Sequence, residues 1–353
     1  MKKKIAFLLS AVLMFSLSAC GQPTGPSPTS DTPGNPDNQA EGQTYVIKIG
    51  HGYTADHPIN MAIEKMAEDV AEMTNDRVTF EVFPDAQLGN ETVMTEMIQN
   101  GTLEMGIMSS STISGFEATL QAFDLPYLFA DYDIAYAVLD GEAGDVVSEN
   151  VLNHAGMRNL AYWENDYRDF SNNVRPITKP EDLAGIKMRV PSMPMLTSWL
   201  ELVGCIPTTI PGNEIYSSLQ QGIVDGQENG PIMTYVGGYY EELEYFSMTN
   251  HVYGAACCLI NENFWQSLPE DIQNALAECA VTARDYQREL NAEIRQDCID
   301  KMEEAGVVIN YLDDGQVAAF QESARQVYPT IEETIGTDLY NLVLDKVAEA
   351  EAA

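Results

Sequence analysis

Apolar residues along the first half of the chain follow two different spacings. Short apolar or alternating runs predict four strands, at 45–50, 78–83, 104–109 and 158–163. Between these runs apolar residues recur every three or four positions, as at Ala62, Met66 and Val70, which predicts helices. Strands that alternate with helices are typical of an α/β fold with a mainly parallel sheet.

A further short strand is predicted in the middle of the chain. Ile186, Met188 and Val190 alternate with basic residues, and Pro191 ends the run because proline cannot donate to a sheet ladder. Arg189 is therefore expected at the carboxyl end of this strand. Ligands of open α/β sheets bind just outside that end, and an arginine there can hold a carboxylate through two parallel hydrogen bonds.

A long helix is predicted towards the carboxyl end. Ser267–Glu270 is a capping box, and apolar residues then recur at helical spacing to Glu304. A helix of about 35 residues is roughly 50 Å long, enough to span two domains. The run 246–261 before it is extended and apolar, which predicts a strand crossing back to the first domain.

The first 43 residues differ in composition from the rest. A basic start and a short apolar run predict an export signal at 1–19. Leu17-Ser-Ala-Cys20 is typical of a bacterial lipobox, in which Cys20 carries a lipid anchor; the alternative is an ordinary cleaved signal with an incidental cysteine. The Pro- and Gly-rich segment 20–43 predicts a disordered tether. We therefore expect an extracytoplasmic, lipid-anchored protein, in the periplasm or on the outer face of the membrane.

The charge of the chain excludes some partners. Its formal net charge is −36, which argues against binding to nucleic acid or to anionic membrane surfaces, since both require basic patches. Six of the 18 lysines and arginines nevertheless fall between 158 and 189. This clustering predicts a site for a small anion, the alternative being chance clustering on a solvated face.

Cysteine and histidine usage gives no sign of a metal site. Apart from Cys20, five of the six cysteines are scattered over apolar segments, so they indicate buried thiols rather than a disulfide framework. The chain has four histidines and no H-E-x-x-H, G-x-S-x-G or P-loop motif. We expect no metal, no cofactor and no enzymatic activity.

Four stretches in order carry a resemblance to a known family. They are VFPDAQLGNE at 82–91, FDLPYLF at 123–129, DLAGIKMRVP at 182–191 and NEIYSSLQQGIVDGQEN at 213–229. From about Tyr45 to the carboxyl terminus the chain resembles the solute-binding proteins of TRAP transporters, the DctP type.

The resemblance implies a two-lobed α/β fold of the periplasmic-binding-protein-like type II, with a hinge and a long domain-spanning helix. Lobe I would comprise 44–165 and 255–294, and lobe II would comprise 166–254 and 295–353. The ligand would lie between the lobes.

The family's functional residues are expected at matching positions. Its carboxylate-gripping arginine falls on Arg189, its second common arginine on Arg168 and its cleft asparagine on Asn229, although Asn229 could simply hold its turn. Gly230 follows where proline is usual. Ser109 stands where a sialic-acid-binding relative has a cleft glutamate, which argues against sialic acid; its hydroxyl could bind a ligand or cap the next helix.

Other residues near these positions are weaker candidates. Glu164, like Asp166, lies close to Arg168 in sequence and could be its only partner, and Glu214 and Glu228 are candidate partners of Arg189. Trp163 and Tyr216 could form the cleft wall or simply pack, and His51 could line the cleft or be structural. Both arginines are expected to face a solvent cleft.

The function that follows is capture of a small organic acid and its delivery to TRAP membrane subunits by a monomer. The acid could be a dicarboxylate, a sugar acid or a keto acid. One alternative is an ABC-type uptake receptor with the same lobes. The other is a carbohydrate-active lipoprotein enzyme with paired carboxylates.

Overall fold

The structure is a computed structural model that describes residues 42–353. The predicted signal peptide, Cys20 and nearly all of the predicted tether lie outside the described residues. None of the helices within 42–353 has the length and apolar character that crossing a bilayer requires.

Nine strands within the described residues form one sheet. Their bounds are β1 (Tyr45–His51), β2 (Val78–Phe83), β3 (Met105–Ser109), β4 (Met157–Asn172), β5 (Lys187–Val190), β6 (Ile206–Thr209), β7 (Gly226–Asn229), β8 (Tyr245–Asn261) and β9 (Val308–Tyr311). The strand order is β2-β1-β3-β8-β4-β7-β5-β6, and β9 also pairs with β8.

The sheet is mixed rather than mainly parallel at its centre. The two outer groups are parallel, β2-β1-β3 and β7-β5-β6. The long central strands β4 and β8 are antiparallel to each other, and they also pair antiparallel with β7 and β3 respectively. The sequence predicted only the first part of β4, to Trp163, because the polar run after it breaks the apolar pattern.

Thirteen α-helices cover the sheet within the described residues. They are α1 (Pro58–Met73), α2 (Glu91–Asn100), α3 (Ser110–Ile113), α4 (Tyr132–Leu139), α5 (Glu142–Asn150), α6 (Pro194–Leu202), α7 (Ile215–Gln220), α8 (Pro231–Val236), α9 (Glu262–Ser267), α10 (Glu270–Glu304), α11 (Asp314–Ala324), α12 (Tyr328–Ile335) and α13 (Thr337–Glu351). Local signals mark their ends: the Asn90 side chain accepts from the Val93 amide at the start of α2, and Gly101, with φ 77°, ends it.

The predicted long helix is confirmed as α10, which has 35 residues. It packs against α1, α8 and β4, and the Trp163 indole of β4 donates to the Ala280 carbonyl of α10 at 3.2 Å. The lobe boundaries predicted at 165/166, 254/255 and 294/295 fall inside β4, β8 and α10. These exact boundaries remain a prediction.

Candidate functional site

A cavity of about 130 Å³ lies at the carboxyl ends of three strands. Ser109 is the last residue of β3, Asn229 is the last of β7, and Arg189 is the penultimate residue of β5; all three line the cavity. Arg168 joins them from the central strand β4. The cavity thus occupies the sheet edge at which α/β folds hold ligands, and it collects four of the predicted site residues.

The Arg168 side chain forms hydrogen bonds and an ion pair with a carboxylate of the protein itself. Its Nε donates to Glu228 Oε2 at 2.5 Å and its Nη2 donates to Glu228 Oε1 at 2.7 Å. Nη2 also donates to Asn229 Oδ1 at 3.1 Å. Burial would raise the pKa of Glu228, but Arg168 outweighs that effect and the pKa lies below its usual value. Arg168 therefore pairs with Glu228 and not with Glu164 or Asp166, the alternative partners that the sequence suggested.

The Arg189 side chain has fewer hydrogen-bond partners than that of Arg168. Within residues 42–353 the Arg189 side chain makes a single hydrogen bond, from Nε to the Ile210 carbonyl at 2.8 Å, and its Nη1 lies 3.9 Å from Glu228 Oε1. Burial, together with the neighbouring Arg168, lowers the pKa of Arg189 to about 10, so the side chain stays cationic at neutral pH. A guanidinium carries five N–H donors, and most of those of Arg189 remain available. The other predicted partner, Glu214, is exposed.

One acidic residue, Glu91, forms part of the lining. Glu91, the first residue of α2, accepts from Ser109 Oγ at 2.5 Å and from Thr112 Oγ1 at 2.7 Å, both through Oε2. Its Oε1 accepts from the Ser109 amide at 3.3 Å. The Ser109 hydroxyl therefore bonds to Glu91 rather than capping α3. Sequence reasoning missed Glu91, although it ends the VFPDAQLGNE stretch and starts a helix.

Tyr53 was also missed, because it lies in a turn without a regular pattern. The residue lines the cavity, is 2% exposed, and its hydroxyl has no hydrogen-bond partner among residues 42–353. A buried hydroxyl without a partner is costly. A polar ligand in the cavity would supply that partner.

Trp163 and Glu164 are not among the residues that line the cavity, and the packing alternative given for Trp163 fits its position. Each side chain is fully buried against α10. The Trp163 indole packs in the core beneath the helix. The Glu164 carboxylate accepts from Asn291 Nδ2 and Arg295 Nη2 of α10, each at 2.7 Å. Both side chains therefore fasten β4 to α10.

His51 and Tyr216 also lie away from the lining. His51 is fully buried, its Nε2 lies 3.1 Å from Asn60 Oδ1, and burial lowers its pKa to about 4, so the structural alternative holds. Tyr216 is half-buried on α7 and its hydroxyl donates to Glu241 at 3.3 Å. Packing accounts for both residues.

Gly230 has a steric reason for its departure from the family's usual proline. A Cβ on Gly230 would lie 2.4 Å from the Tyr167 carbonyl oxygen and 2.8 Å from the Asp166 Cβ. Strand β4 thus approaches the end of β7 too closely for any side chain. The proline comes one residue later, as Pro231 at the start of α8.

No metal-binding group is present in the described part of the chain. Among residues 42–353 no three or more His, Cys, Asp or Glu side chains are arranged to hold an ion. Five cysteines there, from Cys205 to Cys298, are buried and free.

Comparison with known proteins identifies the family. The bacterial extracellular solute-binding proteins of family 7, DctP, match residues 49–334. The 2,3-diketo-L-gulonate-binding periplasmic protein YiaO of Escherichia coli is 33% identical over 76% of this chain and 81% of its own. The C4-dicarboxylate-binding periplasmic protein DctP of Rhodobacter capsulatus is 31% identical over 88% and 92%.

Solved structures agree in fold. The sugar acid binding protein DctPAm of Advenella mimigardefordensis, in complex with galactonate, superposes with a TM-score of 0.84 at 26% identity, covering 87% of this chain and 99% of its own. A TRAP periplasmic solute-binding protein of Sulfurospirillum deleyianum with bound succinate gives 0.81 at 32% identity, covering 85% and 98%. The two-lobed α/β fold is confirmed. The chain belongs to the bacterial extracellular solute-binding proteins of family 7, the DctP family of TRAP receptors.

Proposed function

We propose that the protein captures a small organic acid outside the cytoplasm, holds its carboxylate on Arg189, and delivers it to TRAP membrane subunits. The observation that carries this proposal is the uncommitted guanidinium of Arg189, which is 4% exposed and lines a cavity in a receptor fold. A protein of this family binds and releases its solute without chemical change, so the enzyme alternative falls away.

The physical basis is exchange of hydration for hydrogen bonds. A carboxylate that enters the cavity loses much of its hydration, and a bidentate guanidinium replaces it. Arg168 is held in place by Glu228, and its Nη2 also bonds to the side-chain oxygen of Asn229. These two side chains form a fixed wall beside Arg189, so a ligand carboxylate meets donors that need little reordering.

Thermal-shift and calorimetric screens with a panel of organic acids test the proposal. The panel contains dicarboxylates, sugar acids and keto acids, with the matching uncharged alcohols as controls. We expect at least one acid to raise the unfolding temperature, since a ligand that binds only the native state stabilises it. Stabilisation by the alcohols but by none of the acids would contradict the proposal.

The lipid anchor and the monomeric state are proposed on sequence grounds. Cys20→Ala should release the protein from membranes or stall its processing, because the lipobox cysteine is the attachment point. Membrane retention of a fully processed Cys20→Ala protein would contradict the anchor.

A further inference from the structure

The charges of four side chains at the cavity, Arg168, Arg189, Glu228 and Glu91, sum to zero before any ligand enters. Arg168 and Arg189 supply two positive charges. Glu228 supplies one negative charge and is bound to Arg168. Glu91, on the lining that carries Ser109 and Thr112, supplies the second. A ligand with one carboxylate adds one negative charge, which Arg189 can bind. If the ligand has a second carboxylate, no further cation among these four side chains is free to bind it.

The Glu91 side of the cavity is suited to hydroxyl groups. An ionised carboxylate offers about four acceptor positions, and Glu91 uses three of them, on Ser109 Oγ, the Ser109 amide and Thr112 Oγ1. The remaining position accepts from a donor and repels an anion. The hydroxyls of Ser109 and Thr112 keep acceptor lone pairs, so they match a ligand hydroxyl as well.

Tyr53 adds an unused donor to the same cavity. Its hydroxyl is buried and has no partner among residues 42–353. Tyr53, Glu91 and Arg168 all line this cavity. A ligand hydroxyl near Tyr53 would therefore satisfy a group that is otherwise left without a hydrogen bond.

We infer that Glu91 is a specificity-determining residue, and that the cavity selects a hydroxylated monocarboxylate, of the sugar-acid class, over an unsubstituted dicarboxylate of equal length. This inference rests on the proposed function and narrows its substrate class. The carboxylate of the ligand lies on Arg189, and its hydroxyls donate to Glu91 and accept from Tyr53. In a dicarboxylate the second anionic group approaches Glu91, and such juxtaposition of like charges is costly.

Two pairs of acids with matched carbon number test this selection. D-Erythronate is compared with succinate, and galactonate with adipate, by calorimetry on the wild-type protein, Glu91→Gln and the control Glu96→Gln. Glu96 is exposed on the same helix, α2. In wild type we expect the hydroxylated acid of at least one pair to bind at least about tenfold more tightly than its dicarboxylate partner.

Glu91→Gln should reduce or reverse the affinity ratio between the hydroxylated acid and its dicarboxylate partner, because the amide removes the negative charge and can donate to a second carboxylate. Glu96→Gln should leave it unchanged. The inference is overturned if in neither pair the hydroxylated acid binds wild type more tightly than its dicarboxylate partner, if Glu91→Gln weakens both members of a pair equally, or if none of the four acids binds. Binding of other carboxylates in the wider panel would still support the proposed function, so the two failures are distinguishable.

Discussion

Two arginine–carboxylate clusters include residues of β4 between positions 164 and 168. They differ in whether arginines or carboxylates are in excess. The closed cluster comprises Glu164, Asp166 and Arg295; the open cluster comprises Arg168, Arg189 and Glu228. In the closed cluster one guanidinium serves two carboxylates, and in the open cluster one carboxylate serves two guanidiniums. The first has excess negative charge and the second has excess positive charge.

Neutral donors supplement Arg295 in the closed cluster, although the buried Asp166 Oδ2 has no partner among residues 42–353. Arg295 donates to Glu164 at 2.7 Å and to Asp166 at 2.9 Å. The Tyr132 hydroxyl donates to Asp166 at 2.6 Å, and the Tyr136 hydroxyl donates to Glu164. The cluster leaves little room for a ligand, and it fastens the bulged part of β4 to α10.

The open cluster has no comparable supplement. Arg189 retains free N–H groups directed to a cavity, and Glu228 is already held by Arg168. Excess carboxylate can be satisfied by tyrosine and asparagine, but an excess buried guanidinium requires acceptors, and an external anion is the strongest of these. The comparison indicates that a buried arginine with few hydrogen-bond partners is a better sign of a binding site than an arginine that merely lies near acidic residues in the sequence.

The largest expected effect is on affinity. Arg189→Ala should weaken binding of the cognate acid by roughly 10²- to 10³-fold, the equivalent of about 3–5 kcal/mol for a desolvated charge pair. Arg189→Lys should recover only part of the loss, because an ammonium lacks the planar fork. Calorimetry measures both, with Lys187→Ala as control, since Lys187 is exposed on the same strand.

The fold should survive Arg189→Ala but be weakened by Arg168→Ala. Arg189 and Arg168 both line the cavity, and they are only 4% and 3% exposed. Loss of Arg168 leaves the buried Glu228 without its bidentate partner, whereas Arg189 gives it only a 3.9 Å contact. Near-wild-type affinity in a folded Arg189→Ala protein would show that the carboxylate is bound elsewhere.

The closed cluster should respond through stability. Arg295→Met removes the cation between two buried carboxylates and should lower the free energy of unfolding by about 3–5 kcal/mol. Lys301→Met, which breaks an exposed pair on the same helix, should lower the free energy of unfolding far less, because surface ion pairs contribute little. Chemical denaturation measures both. If Arg295→Met lost ligand affinity without losing stability, the closed cluster would contribute to binding, and the proposed difference in role between the two clusters would be wrong.

A further prediction concerns an acid outside both clusters. Asp124 is fully buried, accepts from Ser110 at 3.2 Å, and its Oδ2 has no partner within residues 42–353. Burial raises the pKa of Asp124 from 3.8 to about 7. Between these values the folded state binds more protons than the unfolded state, so this group's stabilising contribution is lost as pH rises.

Asp124→Asn removes that titration. The stability of the variant relative to wild type should therefore increase from about pH 4 to pH 7 and then level off. Denaturation across that range tests the expectation, with the exposed Asp345→Asn as control. A difference that stays constant with pH would show that Asp124 titrates normally.

The sequence alone determined the local elements and the most important binding candidate. Alternation before Pro191 identified β5 and placed Arg189 at its carboxyl end, and apolar spacing identified α10 to its last residue. The FDLPYLF and DGQEN motifs gave the family. These features depend on neighbours within a few residues, which periodicity and turn chemistry record directly.

Only the tertiary structure decided which side chains meet. Arg168 and Glu228 are 60 residues apart, and they pair because β4 lies beside β7 with Phe170 opposite Glu228. Likewise Trp163 lies in the core because α10 covers its side of β4. Alternation tells that a strand has two faces, but not whether a helix, another strand or a cavity covers each face. That outcome depends on the packing of the whole chain.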